Sequence, residues 1–433
     1  MTDAYLPISN GVTHMVSLLA RVLADWGHEP HIFTFESPRH LRVAPDGLLG
    51  GLRVAPRALH PANSNIHVHY APAVPLLRSG YFLGMRYPIW MKRLVGEMDV
   101  LHVHHPFVSG RLAWRLKHDH QPLLFTIHTR YDIYGHYLRR MMPFVPEEPL
   151  SATVTRHVAR FANRCDAVVA PSASLEEVLT TWGVRAPIEV IPNGIELERF
   201  HLAPPVAVAS NGAVASNGAV AREEIAASRE AFRARWNVPL NAPLAVYLGR
   251  LAPEKNVEVL LESFALARQS VPDARLMLIG DGPSEDELHF QARRLGLTKT
   301  AIFTGALPYE EVPDALRMAD VFASSSVSEV HPLTFIEAMA AGLPCVGTPS
   351  PGVAETIVAN RNGWIAAPES ESFSAVLIEA LGNRDECARR GVLALEDSRD
   401  YAIETTAARV LALYHSTIAA KDASGARLES AGK

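Results

Sequence analysis

The sequence predicts an α/β fold of two successive units, each a mostly parallel sheet flanked by helices. Three observations carry this. Short apolar runs of strand length alternate with amphipathic segments. Many of those runs are nearly continuous, as expected for parallel strands buried on both faces. The alternation occurs twice, on either side of a low-complexity stretch, so each series forms its own sheet through right-handed crossovers.

The chain opens with MTDAYLPISNGV, a loop rich in turn formers (Asp3, Pro7, Asn10 and Gly11). A helix follows at once, marked by Val12, Met15, Val16, Leu19, Val22, Leu23 and Trp26 at helical spacing. Strands of the first series are expected at His31–Phe35, Val100–His104, Leu123–His128, Ala167–Ala170 and Glu189–Ile191. Next comes VASNGAVASNGAVA at 208–221, the hexapeptide VASNGA written twice and begun again. It offers little to bury and reads as a flexible surface insertion. The second series has Leu244–Leu248, Arg275–Ile279, Ala301–Thr304, Val321–Ala323, Cys345–Val346 and Trp364–Ala366. Ile403, Ala407, Val410, Leu411 and Tyr414 then form a helical stripe, and residues 419–433 read as a disordered tail.

Composition narrows the function classes. A net charge of −5 gives no global attraction to nucleic acid. The three cysteines, Cys165, Cys345 and Cys387, have no metal spacing and read as buried thiols of a reducing cytosol. No run approaches the ~18 apolar residues of a spanning helix. No metal-ligating cluster is evident. No G-x-G-x-x-G follows an early strand, which argues against a dinucleotide oxidoreductase.

The richest chemistry lies in SEVHPLTFIEAMAAGLPCVGTP, residues 328–349. A helix starting near residue 333 would leave Glu329 in the preceding loop and put Glu337 in the first turn. Two bland readings compete with a functional one. Thr334-x-x-Glu337 matches a capping box, and a lone loop Glu is usually solvated. Two further stretches shift the balance. VYLGRLAPEKN places Arg250 and Lys255 in a loop after a buried strand, where a planar fork and a point charge can converge on one diphosphate. LMLIGDGPSEDEL places Gly280, Gly282 and Pro283 at another strand end, where glycine lets a ligand approach the backbone or simply makes a tight turn. All three stretches fall at the carboxyl ends of parallel strands in one sheet, where open α/β folds bind ligands. The helix after Pro332 directs its N–H groups to the same edge, which suits a phosphate.

GRLAPEKN, IGDGP, FTGAL and SEVHPLTFIEAMAAGLP stand in the order and spacing of the family 4 glycosyltransferases, and the chain resembles that family from about residue 2 to about 418. HVHHPFVSGRLA, FTIHTRYDIYGHYL and CDAVVAPS resemble its branch of diacylglycerol glucosyltransferases and related lipid and mannosyl transferases. The resemblance implies retaining chemistry and the GT-B fold, two Rossmann-like domains facing across a cleft. The corresponding division is 1–200 for the acceptor-side domain, 201–229 for the linker, 230–398 for the nucleotide-sugar domain and 399–418 for a helix returning to the first domain. In relatives the opening loop follows a central strand, so that strand is expected to be missing here.

The resemblance also implies roles. Arg250 and Lys255 hold the donor diphosphate and stabilise the leaving nucleotide. Glu337 binds ribose hydroxyls, and Glu329 lies by the donor sugar. The amides around His331, Pro332, Leu333 and Thr334 contact sugar and phosphate. Gly11 approaches the diphosphate from the other domain, and His128 lies near the anomeric centre and acceptor. His104, His105 and Tyr131 are weaker acceptor-side candidates. No cofactor or metal is required, because Arg and Lys act where negative charge builds on the leaving group.

The base is expected near FTGALPYEE, at Leu307. Guanine's donors call for a carboxylate acceptor. Ala306, Leu307, Pro308 and Tyr309 supply none, so a UDP-sugar is favoured over GDP-mannose. The expected partners are therefore a nucleotide sugar and a lipid, such as diacylglycerol, or another small acceptor. MRYPIWMKRL (85–94) and HYLRRMMPFVP (136–146) mix cations with apolar residues and could make a peripheral contact with the inner face of the plasma membrane. A GDP-mannose-dependent mannosyltransferase is the alternative within the class. Outside it stand a nonhydrolysing UDP-sugar epimerase and a non-catalytic nucleotide-sugar binder.

Overall fold

The structure, a computed structural model, describes residues 1–3, 5, 11–36, 65–75, 82–83, 87–132, 147–201 and 227–431. The repeat at 208–221, the stretch 136–146 and residues 85–86 lie outside the described residues. The chain divides into two compact units: 1–194 with 403–433, and 195–402. The division at Gly194 thus comes slightly before the residue 200 expected from sequence.

The first unit contains β1 (His31–Glu36) paired in parallel with β2 (His67–Pro72), and a short antiparallel pair, β3 (Val74–Pro75) with β4 (Phe82–Leu83). A parallel sheet follows in the order β5 (Leu101–Val103), β6 (Leu123–Thr126), β7 (Ala167–Ala170) and β8 (Ile188–Val190). Residues 1–2 run between β1 and β5. Thr2 N–H donates to Phe33 O at 3.0 Å, and His104 N–H donates to Met1 O at 3.0 Å. Beside them lies a cavity of about 320 Å³, lined by Leu19, Leu23, Phe33, Leu101, His102 and Tyr414 among others.

The opening helix, Gly11–Asp25, buries Met15, Leu18, Leu19, Val22 and Leu23 against Ile403, Ala407 and Val410 of the last helix. That last helix spans Ile403–Ala431. The segment read from sequence as a disordered tail is therefore helical to Ala431, and Lys421 Nζ pairs with Asp166 at 2.7 Å. The tail's alanines and charged residues are good helix formers and extend a helix already anchored by packing.

The second unit begins at Ile195, and a helix over 227–235 leads into its sheet. The strands are β9 (Leu244–Leu248), β10 (Arg275–Ile279), β11 (Ala301–Gly305), β12 (Val321–Ser324), β13 (Cys345–Gly347) and β14 (Gly363–Ile365). All pair in parallel in the order β11-β10-β9-β12-β13-β14. In chain order this is 3-2-1-4-5-6, the doubly wound arrangement whose direction reverses between its first and fourth strands. Two apolar clusters cover the sheet faces, one around Val246, Phe322 and Phe335, the other around Tyr247, Leu278 and Phe373. All three cysteines are free and buried.

Candidate functional site

The reversal point of the second sheet lies between β9 and β12, and the loops leaving those two strands carry the charged residues singled out above. Arg250 follows β9 and is exposed. Lys255 ends the 3₁₀ turn Pro253–Lys255 and is partly buried. Glu329 lies in the loop after β12. Lys255 Nζ donates to Glu329 Oε1 at 2.6 Å, so the two residues meet across the reversal point. Burial pushes the Glu329 carboxyl up, but Lys255 and a hydrogen bond with Ser326 outweigh it and leave the group below its ordinary pKa. Glu329 is thus a carboxylate, and the loop reading of Glu329 as a merely solvated group does not hold.

The two loops are stitched together by residues that sequence reading did not single out. Ser325 Oγ donates to Asn256 O at 2.6 Å, and Ser328 Oγ donates to Glu254 O at 3.1 Å. Asn256 has φ of 51°, a left-handed conformation that Asn tolerates better than most residues. An Asn between a turn and a helix start was the available signal.

Gly280 and Gly282 have a structural reason to be glycine. A Cβ on Gly280 would lie 2.0 Å from Gly249 O, and one on Gly282 would lie 2.1 Å from Leu251 O. Close approach here is between the loops after β9 and β10, held by Leu251 N–H donating to Asp281 O at 2.7 Å. Leu307, after β11, is partly buried against the same core as Tyr309.

The helix Leu333–Ala340 starts where expected, with Pro332 at its N-cap. The capping box does not form. Glu337 lies beyond the first turn, and no side-chain cap closes the helix start. Its carboxylate instead accepts a hydrogen bond from Tyr309 Oη at 3.2 Å. Glu337 is 5% exposed, and burial raises its pKa to about 8, against the opposing effects of Tyr309 and Arg199. Arg199 also stacks over the Tyr309 ring at 4.8 Å. His331 is held neutral by burial, with its pKa lowered to about 3, and its buried Nδ1 has no partner among the described residues. Thr334 and Leu333 are half-buried in the first turn.

The first unit gathers the histidines. His128, after β6, is half-buried, and its Nε2 lies 2.9 Å from Nδ1 of the buried His104. Burial holds His104 far below the usual imidazole pKa. A neutral His104 therefore orients His128 from behind. His105 is occupied by the chain start: its Nδ1 meets Thr2 Oγ1 at 3.0 Å and accepts from Asp3 N–H at 3.3 Å. Tyr131 packs edge-on to Phe107 at 5.5 Å. Gly11 is exposed at the first position of its helix.

Away from these residues, Glu29, His31 and His67 each place a ligand atom within 4.8 Å of the others, a grouping that sequence spacing did not mark. Strand pairing brings together residues that are far apart in the chain.

Two family descriptions match the sequence: "Glycosyl transferases group 1" over residues 228–394 and "Glycosyltransferase Family 4" over 9–199. Between them they span most of both units. An alpha-monoglucosyldiacylglycerol synthase of Streptococcus pneumoniae is 26% identical over 386 residues, covering 88% of this chain and 77% of the relative. A GDP-mannose-dependent alpha-(1-6)-phosphatidylinositol monomannoside mannosyltransferase of Mycolicibacterium smegmatis is 26% identical over 253 residues, covering 56% and 59%. Among solved structures, Anabaena HepE in complex with UDP and glucose aligns with a TM-score of 0.68 at 19% identity, over 96% of this chain and all of that one.

Proposed function

Because the chain is a family 4 glycosyltransferase with the GT-B fold, which uses a nucleotide sugar, we propose that it moves glucose from a UDP-sugar to a lipid acceptor such as diacylglycerol, with retention. The observation that carries the donor side is the Lys255–Glu329 pair at the reversal point, with Glu337 buried in the helix that follows. In this reading Arg250 and Lys255 grip the diphosphate and stabilise charge on the departing phosphate. Glu329 holds Lys255 in place and accepts from sugar hydroxyls, while Glu337 accepts from the ribose. The amides of residues 331–334 serve sugar and phosphate. Gly280 and Gly282 set the loop shape beside the phosphates, and Leu307 faces the base.

The bond from the anomeric carbon to the phosphate breaks as the bond to the acceptor oxygen forms, and the leaving phosphate takes the acceptor's proton. His128, oriented by His104, serves the acceptor side, with Tyr131 beside it. Glu311 is engaged by Arg235 at 2.6 Å, and the partly buried Leu307 carries no carboxylate, which supports uracil over guanine at the base. A donor screen scored by released nucleotide, with and without diacylglycerol, tests this. Lipid-dependent release from UDP-glucose is expected. Release from GDP-mannose alone would replace the donor assignment with the mannosyl one.

The acceptor's chemistry asks for a membrane contact, and the helix Ile89–Gly96 offers one. It buries Met91 and Val95 and exposes Ile89 (71%), Trp90, Lys92 and Arg93. No helix among the described residues is long and apolar enough to cross a membrane. The proposed contact is peripheral, on the cytoplasmic face, with the cations near anionic headgroups and Trp90 in the interface. Co-sedimentation with vesicles should rise with anionic lipid and fall with salt, and K92A/R93A should reduce it several-fold. Equal pelleting of the double variant would remove this helix from the contact.

A further inference from the structure

We propose that the first unit carries a binding site for a divalent transition metal, made by Glu29, His31 and His67. The site shares no residue with the donor or acceptor machinery above. It follows from strand register. β1 and β2 pair in parallel with His31 opposite His67 and Phe33 opposite His69. Side chains of paired residues, and of residues two apart, share a face, so His31, His67 and His69 stand together. The His31 and His67 rings have centroids 4.6 Å apart. Glu29 lies two residues before His31, and its segment is tied to β2 by His67 N–H donating to Pro30 O at 2.9 Å. One ligand atom from each of Glu29, His31 and His67 lies within 4.8 Å of the others. Ligands about 2.0–2.2 Å from a shared ion sit somewhat closer than that, within reach of small side-chain rotations.

The surroundings fit a ligand set better than a solvated strand edge. A metal-bound imidazole usually has its other nitrogen engaged, which fixes the ring. His31 Nδ1 lies 3.1 Å from His69 Nε2, which leaves Nε2 of His31 for the ion. His69 is itself held, stacked on Phe33 at 5.0 Å and met edge-on by Trp90 at 5.9 Å. Glu29 and His67 are exposed and His31 is half-buried, so an ion can enter from solvent. Two imidazoles and one carboxylate suit Zn²⁺, Co²⁺ or Ni²⁺ rather than Mg²⁺ or Ca²⁺. Three protein ligands leave a position for water. The bound ion would clamp β1 to β2 in register.

The test uses the full chain and Zn²⁺ or Co²⁺ alone. Calorimetric titration with Zn²⁺ should show one saturable site per chain, weakened at least tenfold in H67A and in E29Q. Both residues are exposed, so both variants should fold, and unchanged far-UV dichroism and metal-free Tm would establish that. Co²⁺ should give visible absorption of a low-coordinate site in the unaltered protein and lose it in both variants. Zn²⁺ should raise the Tm of the unaltered protein only. Absence of a saturable site, or the same affinity in H67A and E29Q, would overturn the proposal. In the latter case the ion would belong to other histidines of the chain.

Discussion

Lys255→Ala should lower sugar transfer by about 10²–10³-fold, the usual effect of removing one donor aimed at developing negative charge. It should also destabilise the second unit, because it strands Glu329. The Glu329 side chain is only 14% exposed and its ion pair is 2.6 Å long. Removing one member of such a pair leaves a poorly solvated charge, worth about 2–3 kcal/mol here. Lost transfer alone is therefore an ambiguous readout. The double variant Lys255→Ala/Glu329→Gln separates the two effects. It removes the stranded charge, so stability in urea should return to within about 1 kcal/mol of the unaltered protein, while transfer stays low. Full transfer by Lys255→Ala would end the phosphate-clamp reading. A double variant no more stable than the single one would show that the pair does not couple.

Glu337→Gln should make the protein more stable and a weaker nucleotide binder. Glu337 holds its proton up to about pH 8 in the folded protein, against an ordinary value of 4.5. Between those pH values the folded state keeps a proton that the unfolded chain gives up. Stability from this group therefore falls as pH rises through that window. Gln cannot ionise, and its amide oxygen can still accept from Tyr309. The Tm of the variant should match the unaltered protein near pH 4.5 and exceed it by a growing margin toward pH 8. Binding should go the other way. A ribose-binding Glu337 accepts best when ionised, so UDP affinity should rise with pH toward 8 in the unaltered protein. In Glu337→Gln it should be about tenfold weaker above pH 8 and nearly flat with pH. Parallel Tm profiles would remove the buried-proton account, and equal UDP affinity would remove the ribose role. The combination would place Glu337 among residues that cost stability for the sake of a site.

Much of the fold was determined by local sequence. Ala167–Ala170, Leu244–Leu248 and Arg275–Ile279 form strands with the bounds that their apolar runs mark, because a strand buried on both faces must be apolar throughout. The start of the helix at Leu333 was legible from Pro332 and the periodicity after it. The short pairs were not. β2, HVHYAP, alternates histidine with Val68 and Tyr70 and ends on Pro72, a pattern without a continuous apolar signal. The helical tail after Ala419 was missed because its composition lacks an apolar stripe, while its helicity continues from a helix that packing had already nucleated.

Within the candidate site, residue types were legible and partnerships were not. Sequence placed Arg250, Lys255, Glu329 and Glu337 at strand ends, but strand order is non-local. Only the β11-β10-β9-β12-β13-β14 arrangement brings the loops after β9 and β12 side by side and makes Lys255 and Glu329 a pair. The capping-box pattern at Thr334 and Glu337 was locally sound. It lost to Tyr309, which arrives from another strand end and gives the buried carboxylate a partner. The same holds for Glu29, His31 and His67, whose meeting depends on the register of β1 against β2. Periodicity and turn chemistry act over a few residues, so they are written in the sequence itself. Ion pairing, burial and pKa depend on what the fold brings within a few ångströms, and that was decided by tertiary packing.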